Sequence, residues 1–278
     1  MDDPRRLLAK HDLGAKKSWG QNFLVDRNVL DRIVRAAALT PDDVVIEIGA
    51  GTGALTAALA AGTPAPRRIV AVERDPDMLR VLRAELAGQP TLEIRAGDAA
   101  ELDFTTESAA AGRPLVVLGN LPYQIGSVIL LALARAQGAV ARAVVMVQKE
   151  FAQRVVAPEG NKIYGRLSVM IQQRMSARIL FHVGPGAFFP RPKVTSSVMA
   201  LASRPTPLAP VADMATFERV VKEAFGTRRK MLRRALEPAF GAPAIARAFE
   251  RSGIAGTRRA EELTVADFAR LSDALGVH

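Results

Sequence analysis

The sequence contains no cysteine, and this absence excludes several kinds of protein at once. Without thiols there can be no disulfide framework, no thiolate zinc site, no iron–sulfur cluster and no cysteine nucleophile. Histidine is scarce as well, because the chain has only three, far apart at His11, His182 and His278. We therefore expect no bound metal ion.

Long apolar runs are also missing. No stretch of 18 apolar residues occurs, and the first 14 residues lack the apolar segment of a secretory signal. Hydrophobic residues make up 49% of the chain and charged residues 24%, which is typical of globular proteins. At roughly 150 residues per domain, 278 residues correspond to about two domains. We expect a cytoplasmic, monomeric protein that does not associate with membranes.

Acidic residues are fewer than basic ones, 28 against 38, which leaves a formal net charge of +10. No Asp or Glu occurs between Gly160 and Ala212, and five of the seven residues from Arg228 to Arg234 are basic. Each basic run could be an ordinary solvated face. Because the acid-free stretch is so long, we favour a surface that faces a polyanion, most often nucleic acid. The basic residues of that stretch are Lys162, Arg166, Arg174, Arg178, Arg191, Lys193 and Arg204.

Short apolar runs alternate with helix-length segments through the first 150 residues. This alternation predicts βαβ units and a mostly parallel sheet covered on both faces. The predicted strands are 44–49, 68–73, 92–99, 115–120 and 143–148, and two clear helices span 28–38 and 127–136.

The pattern changes after about residue 160. Residues 165–183 and the segment SSVMALAS predict further strands, and the proline-rich segment 204–210 predicts a linker. Residues 213–278 predict helices, with breaks at Gly226, Pro238, Gly241, Pro243, Gly253 and Gly256. We expect an α/β domain over 1–205 and a small all-helical domain over 206–278.

A glycine turn, EIGAGTG, joins the first predicted strand to a helix. Gly49 and Gly51 would let a ligand approach the backbone closely. The motif does not identify the ligand, because Gly49, Gly51 and Ala54 also satisfy the fingerprint of dinucleotide-binding domains. Glu73 ends the second predicted strand, where an acid can accept hydrogen bonds from both ribose hydroxyls. Asp98 follows the third strand and could accept from an adenine amino group. Each feature has a purely structural alternative. The glycines could form only a tight turn, Glu73 could be a surface acid, and Asp98 could form a turn.

The segment Asn120-Leu121-Pro122-Tyr123 follows the fourth predicted strand. An adenine amino nitrogen is a poor nucleophile because its lone pair is delocalised into the ring. The Asn120 side-chain oxygen and the Leu121 carbonyl could hold its hydrogens out of the plane, Pro122 could fix the turn, and Tyr123 could stack on the base. An isolated Asn-x-Pro segment would be an ordinary loop, but its place after the glycine turn and the two acids favours the functional interpretation.

Four segments together resemble the ribosomal RNA adenine N6-dimethyltransferase family: KSWGQNFL (17–24), EIGAGTGALT (47–56), GNLPY (119–123) and FFPRPKVTSS (188–197). The resemblance implies a Rossmann-like, S-adenosylmethionine-dependent methyltransferase domain and a helical RNA-binding domain. It implies that Gln21, Asn22 and Leu24 close over the cofactor and that Phe189 forms a second wall of the adenine pocket. The cofactor would be bound by Gly49, Gly51, Glu73, Asp98 and Asn120. The implied substrate is two adjacent adenines near the 3′ end of 16S rRNA in a partly assembled small subunit.

Two departures from the family pattern are minor, Ala50 within the glycine turn and the pair Ser18-Trp19 in the opening segment. Trp19 could contact RNA or merely pack. One alternative function is the related 23S rRNA methyltransferase that gives macrolide resistance, and another is an RNA-binding assembly factor in which catalysis is secondary. A DNA adenine methyltransferase is less well supported, because those enzymes more often carry a Pro-Pro-aromatic segment. An NAD oxidoreductase would need an acid–base pair for hydride transfer, and the sequence offers none.

Overall fold

The computed structural model describes residues 2–16, 19–122, 125–227 and 230–276. Its contacts divide the chain into two units. The first comprises Met1–Ala152 and Ala177–Ser203, and the second comprises Gln153–Ser176 and Arg204–His278. The sequence predicts a single domain boundary after residue 205. The contacts in the structure instead group residues 153–176 with the C-terminal helices as well.

The first unit is built on a seven-stranded sheet. Its strand order is β4-β3-β2-β5-β6-β9-β7, and the first five strands in that order are parallel. Strand β9 runs antiparallel to β6, and a separate two-stranded sheet pairs β1 with β8. The strands are β1 Phe23–Leu24, β2 Val44–Ile48, β3 Arg68–Glu73, β4 Leu92–Ala96, β5 Leu115–Asn120, β6 Val140–Gln148, β7 Met175–Val183, β8 Phe188–Phe189 and β9 Ser196–Ser203. The mostly parallel α/β sheet predicted from the sequence is thus confirmed.

Helices cover the sheet because its central strands are apolar on both faces. Val45 and Val116 are fully buried in the cluster that also contains Ile33 of the second helix. The helices before the chain enters the second unit are α1 Pro4–Lys10, α2 Arg27–Ala37, α3 Ala54–Ala60, α4 Pro76–Glu85, α5 Phe104–Ala111 and α6 Gly126–Arg135, while α7 Lys149–Val156 includes residues of both units.

Helix α2 has a defined start and end. The Asp26 carboxylate accepts hydrogen bonds from the Asn28 and Val29 amides, a standard N-cap. At the other end, Arg142 of β6 donates to the carbonyls of Ala37 and Ala38, which have no partners within the helix. Ala38 itself adopts a left-handed conformation with φ of 45°, which a residue with a Cβ adopts only with strain.

The second unit is helical, with α8 Arg166–Arg174, α9 Met214–Gly226, α10 Leu232–Phe240, α11 Ala242–Ser252 and α12 Val265–Gly276. The prediction of a strand over 165–183 is wrong for its first half, because 166–174 forms α8 and only Met175–Val183 is a strand. Leu, Met, Gln and Arg have high helix propensity, and the Ser168 hydroxyl accepts a hydrogen bond from the Gly165 amide at the helix start. Val169 and Ile171 are completely buried in this helix.

The proline-rich segment 204–210 is irregular, as the sequence predicts, but it is held against α8. Gln173 donates to the Ala209 carbonyl at 2.7 Å and accepts from the Ala209 amide at 3.2 Å. The predicted break at Pro238 is wrong, because Pro238 lies inside α10. It falls in the last turn, and the helix ends two residues later at Phe240. Over the residues described, no helix has the length and apolarity needed to cross a membrane.

We expect the substitution Ala38→Gly to raise the free energy of unfolding by about 0.5–1 kcal/mol. Glycine adopts the left-handed conformation without strain, although greater freedom in the unfolded chain offsets part of the gain. Urea denaturation checks this, with Ala36→Gly inside α2 as a matched control that should lower stability by about 1 kcal/mol. A destabilised Ala38→Gly protein would contradict the strain at this position.

Candidate functional site

A cleft opens where the sheet reverses its strand order, between β2 and β5. From β2 the chain builds outward in one direction through β3 and β4, and then in the other through β5 and β6. Such a switch point leaves a crevice at the carboxyl ends of the strands, where open α/β sheets bind ligands. The empty volume here is about 1130 Å³, counting the space at its open mouth.

The cleft brings together nearly all the predicted site residues. The predicted residues that line it are Gln21, Asn22, Leu24, Gly49, Gly51, Glu73, Asp98, Asn120, Leu121 and Pro122. Tyr123 lies outside the described residues. Phe189 does not line the cleft.

The glycine turn passes close to its neighbours. Gly49, Gly51 and Gly53 have φ values of 69°, 56° and 87°, which glycine adopts freely. A Cβ on Gly51 would lie 3.2 Å from the ring of Phe23, which also lines the cleft. The turn therefore needs glycine both for its conformation and for its contact with the N-terminal segment.

Gly119 is a residue that the sequence reasoning did not single out. It lies on β5 beside Ile48 of β2, and a Cβ built on it would be 2.6 Å from the Ile48 carbonyl oxygen. Only glycine lets the two strands come this close at the base of the cleft. The sequence does contain a signal for this role, because a glycine within a strand often marks a place where another backbone approaches closely.

The carboxylate of Glu73 organises the turn. One oxygen accepts from the Gly51 amide at 2.8 Å, and the other accepts from the Arg74 and Asp75 amides at 2.8 Å each. A carboxylate has about four lone-pair positions, so one acceptor position remains for a ligand. Asp98 is more exposed, and its carboxylate accepts from Arg74 at 3.3 Å and from the Ala100 amide at 2.9 Å.

Asn120 is held by its amide nitrogen. Its side-chain NH₂ donates to the Asn22 carbonyl at 3.0 Å, which fixes the orientation of the amide and leaves the side-chain oxygen for another partner. Next to it, the buried Leu121 donates its amide to the Met146 carbonyl on β6 at 3.0 Å. The end of β5 is therefore anchored from two sides.

The N-terminal segment forms one wall of the cleft and is fastened by a buried acid. Asp75 is fully buried and accepts from the Lys16 ammonium and from the Gln21 side-chain amide, at 2.6 Å each. The Gln21 oxygen accepts from the Lys16 backbone amide at 2.8 Å. Gln21 thus positions the segment, a role that the sequence did not predict. The Asn22 side chain is likewise used locally and donates to the Gly20 carbonyl.

Trp19 also lines the cleft, between two cations. The guanidinium of Arg74 lies 4.7 Å from the centre of its ring and the ammonium of Lys16 lies 5.2 Å away. Both distances are within the range of cation–π attraction. Of the two possibilities that the sequence left open for Trp19, packing within the chain is the one the contacts favour.

The two phenylalanines of β8 point to different environments. Phe188 is 5% exposed and belongs to the core, whereas Phe189 is 39% exposed. In register, Phe189 lies opposite Phe23 and Phe188 opposite Leu24. The exposed ring therefore lies beside the N-terminal segment, so its predicted role next to a bound base stays a prediction.

Glu47, on β2, is the second residue that the sequence reasoning missed. It lines the cleft, is 1% exposed, and its Oε2 has no hydrogen-bond partner within the described residues. Burial raises the pKa of this carboxyl to about 8, and the nearby charge of Glu73 adds to the rise. The sequence signal was its position between Ile46 and Ile48 in an apolar strand, because a glutamate is rarely fully buried unless it is paired.

A parallel α/β sheet with a glycine turn at its switch point, and with acids at or just after the ends of the next two strands, is typical of domains that bind a nucleoside-containing cofactor. A family model described as ribosomal RNA adenine dimethylase matches residues 13–276, and the chain belongs to this family.

Curated relatives match this chain over nearly its full length and support the same family. The chain is 47% identical to the ribosomal RNA small subunit methyltransferase A of Anaeromyxobacter dehalogenans strain 2CP-C, over 98% of both chains. It is 41% identical to the protein of the same name from Myxococcus xanthus, over 99% of this chain and 96% of that one.

Solved structures agree on the fold. The 23S rRNA methyltransferase ErmE is 28% identical, with a TM-score of 0.66 over 91% of this chain and 99% of that one. A dimethyladenosine transferase from Plasmodium falciparum has a TM-score of 0.72 over 90% of this chain and 95% of that one, at 24% identity. The first unit is thus a Rossmann-like methyltransferase domain.

We expect Gly119→Ala to lower the free energy of unfolding by about 1–3 kcal/mol. The added Cβ would meet the backbone oxygen of Ile48, which belongs to the sheet and cannot move aside cheaply. Urea denaturation measures the change. Gly226→Ala is the matched control, because a Cβ there meets nothing within 4 Å, and it should shift stability by no more than about 0.5 kcal/mol. Equal effects of the two substitutions would refute the close approach of β2 and β5.

Proposed function

We propose that this protein transfers methyl groups from S-adenosylmethionine to N6 of two adjacent adenines near the 3′ end of 16S rRNA. The products are N6,N6-dimethyladenosines, made in the cytoplasm while the small ribosomal subunit is assembled. The observation that carries the proposal is Asn120 at the end of β5, in the cleft, with its amide nitrogen already bonded to Asn22. The family and the names of its bacterial relatives support a ribosomal adenine as the target.

The residues of the cleft fit S-adenosylmethionine. Glu73 has an acceptor position left for a ribose hydroxyl, and Asp98 could accept from the adenine amino group. Gly49 and Gly51 open the backbone to the amino-acid portion, and Gln21, Asn22 and Leu24 would close one side. The bound cofactor supplies an electrophilic methyl group.

The chain itself must make the adenine nitrogen reactive. The Asn120 side-chain oxygen and the Leu121 carbonyl would accept its two hydrogens, which draws the lone pair out of conjugation with the ring. Pro122 restricts the backbone after these acceptors. Tyr123 and Phe189 would stack against the base, with about 1–3 kcal/mol for each stacked base. The methylated nitrogen becomes acidic and releases its proton to solvent, so no general base is required.

We expect Asn120→Ala to reduce kcat for methyl transfer at least about 100-fold, because one acceptor that orients the nucleophile is lost. Steady-state kinetics with labelled S-adenosylmethionine and unmodified small subunits measures the effect. Asn28→Ala, which changes an exposed asparagine in the first turn of α2, is the matched control and should behave like the wild type. A loss confined to KM would argue that Asn120 only binds.

The reaction itself is tested by incubating the protein and labelled S-adenosylmethionine with small subunits that lack the modification, and by mapping the labelled nucleotides. Label at two adjacent adenines of 16S rRNA supports the proposal. Label only in 23S rRNA, offered as large subunits in a parallel reaction, would favour the macrolide-resistance type of enzyme. Binding without any label would favour an assembly factor.

The second unit supplies the basic surface that we propose for RNA. Lys230, Arg233 and Arg234 are exposed, and no carboxylate of the described residues pairs with them. Arg228 and Arg229 of the same run lie outside the described residues. Two other basic residues are used within the chain: Lys16 pairs with Asp75, and Arg204 donates to the Gln172 carbonyl. The start of α10 therefore carries a group of exposed cations that no described carboxylate offsets.

Replacing Lys230, Arg233 and Arg234 with Gln should weaken binding to small subunits and reduce the slope of log K against log salt by up to about 3. Each phosphate contact contributes close to one unit of slope through the release of counterions. Filter binding over a salt series measures it. The control replaces Arg5, Lys10 and Arg80, which pair with Asp3, Glu85 and Asp77, and removes the same net charge. Equal loss in both triple variants would mean that net charge alone is responsible.

A further inference from the structure

One short segment of the chain, residues 22–24, touches both halves of the site. The Asn22 carbonyl accepts from the side-chain amide of Asn120 at 3.0 Å. The ring of Phe23 lies against the glycine turn, because a Cβ on Gly51 would be only 3.2 Å from two of its ring carbons. Asn22 and Phe23 also line the cleft. The segment therefore meets the proposed adenine acceptor on one side and the proposed cofactor turn on the other.

The same segment pairs with the strand that carries Phe189. Strands β1 and β8 are antiparallel, with Phe23 opposite Phe189 and Leu24 opposite Phe188. Side chains directly opposite each other in such a pair point to the same side, and successive side chains point to opposite sides. Because Leu24 and Phe188 are buried in the main core cluster, Phe23 and Phe189 share the other side of the pair.

This pair of strands is small and depends on its surroundings. Each strand has only two residues, and one further bond, from the Val25 amide to the Ala187 carbonyl at 2.8 Å, extends the contact. Two strands of this length are not stable by themselves. Their core-facing side is buried, whereas on the other side Phe189 is 39% exposed and Phe23 borders the cleft. A ligand that contacts Phe23 therefore restricts the side of the pair on which Phe189 lies.

We propose that Phe23 is a positioning residue that couples the two ligands of the proposed reaction. A cofactor in the cleft keeps Phe23 on the glycine turn, and this fixes both the Asn22 carbonyl and the strand that carries Phe189. The target adenine then binds to a site that is already ordered, so each ligand raises the affinity for the other. The base is thus favoured in the site when a methyl donor is present.

S-adenosylhomocysteine is the probe that separates packing from charge. S-adenosylmethionine carries a sulfonium, whose positive charge favours RNA without any contact through Phe23. S-adenosylhomocysteine has the same nucleoside and amino-acid portions but no sulfonium, and it donates no methyl group. The inference rests on the proposed function, so the second ligand is the unmodified small ribosomal subunit.

The coupling is measured as a ratio of two affinities. Equilibrium dialysis with labelled S-adenosylhomocysteine gives its dissociation constant for the free protein and for the protein saturated with unmodified subunits. We expect binding to be about 10-fold tighter when subunits are present. Filter binding of subunits with and without S-adenosylhomocysteine should give the same factor, because coupling between two binding sites is reciprocal.

Phe23→Leu keeps an apolar side chain but removes the ring from Gly51, and it should reduce the coupling to about 2-fold or less. Leu8→Ala is the matched control, because Leu8 is buried in the same cluster as Phe23 and is not one of the residues that line the cleft. It should lower the melting temperature and leave the coupling unchanged, since a loss of stability does not by itself alter the ratio of affinities.

Phe189→Leu tests the other strand at a position where the fold tolerates a change, because this side chain is exposed. The coupling should fall here too, while the free protein binds S-adenosylhomocysteine as the wild type does. Subunits whose two adenines are already dimethylated offer Asn120 no N–H, and they should show no coupling in the wild type.

Three results would overturn the role of Phe23: no coupling in the wild type, coupling that persists in Phe23→Leu, or equal coupling with modified and unmodified subunits. If Phe23→Leu does not fold, coupling that persists in Phe189→Leu overturns it instead. In each case, binding of S-adenosylhomocysteine by the free protein still supports the proposed function. If the wild type binds neither S-adenosylhomocysteine nor unmodified subunits, the proposed function itself fails.

Discussion

The close approach of β2 and β5 is the constraint on which the site depends. At this point Gly119 passes the Ile48 carbonyl with no room for a side chain. The two strands end at the switch point, and each delivers one half of the site: β2 leads into the glycine turn and β5 ends at Asn120. A bulkier residue at position 119 would push apart the two strand ends that have to share one ligand.

The N-terminal segment completes the cleft through three kinds of contact. The Asn22 carbonyl orients Asn120, the Phe23 ring packs on Gly51, and Gln21 bonds to the buried Asp75. Each contact joins the segment to a different strand end. The segment is therefore both a wall of the cleft and the element that fixes the direction of the Asn120 amide.

Three buried acids at this edge of the sheet lie in three different environments. Glu73 accepts from three backbone amides, and Asp75 pairs with Lys16 and Gln21. At Glu47 the Oε2 atom has no hydrogen-bond partner among the described residues, and burial raises the pKa of this carboxyl to about 8.

The sequence by itself determined the parallel sheet, the glycine turn, the acids after two successive strands and the segment that begins at Asn120. These follow from local patterns, because strand periodicity and positive-φ glycines are properties of short segments. It did not separate Phe188 from Phe189, assign 166–174 to a helix or place Gln21 on Asp75. Those outcomes depend on which neighbours a segment meets. Gly119 and Glu47 show this most clearly, since a lone glycine in a strand and a lone acid in an apolar run acquire meaning only when the partner strand and the cleft surround them. Only the tertiary structure decided which polar atoms find hydrogen-bond partners within the fold and which remain available to a ligand.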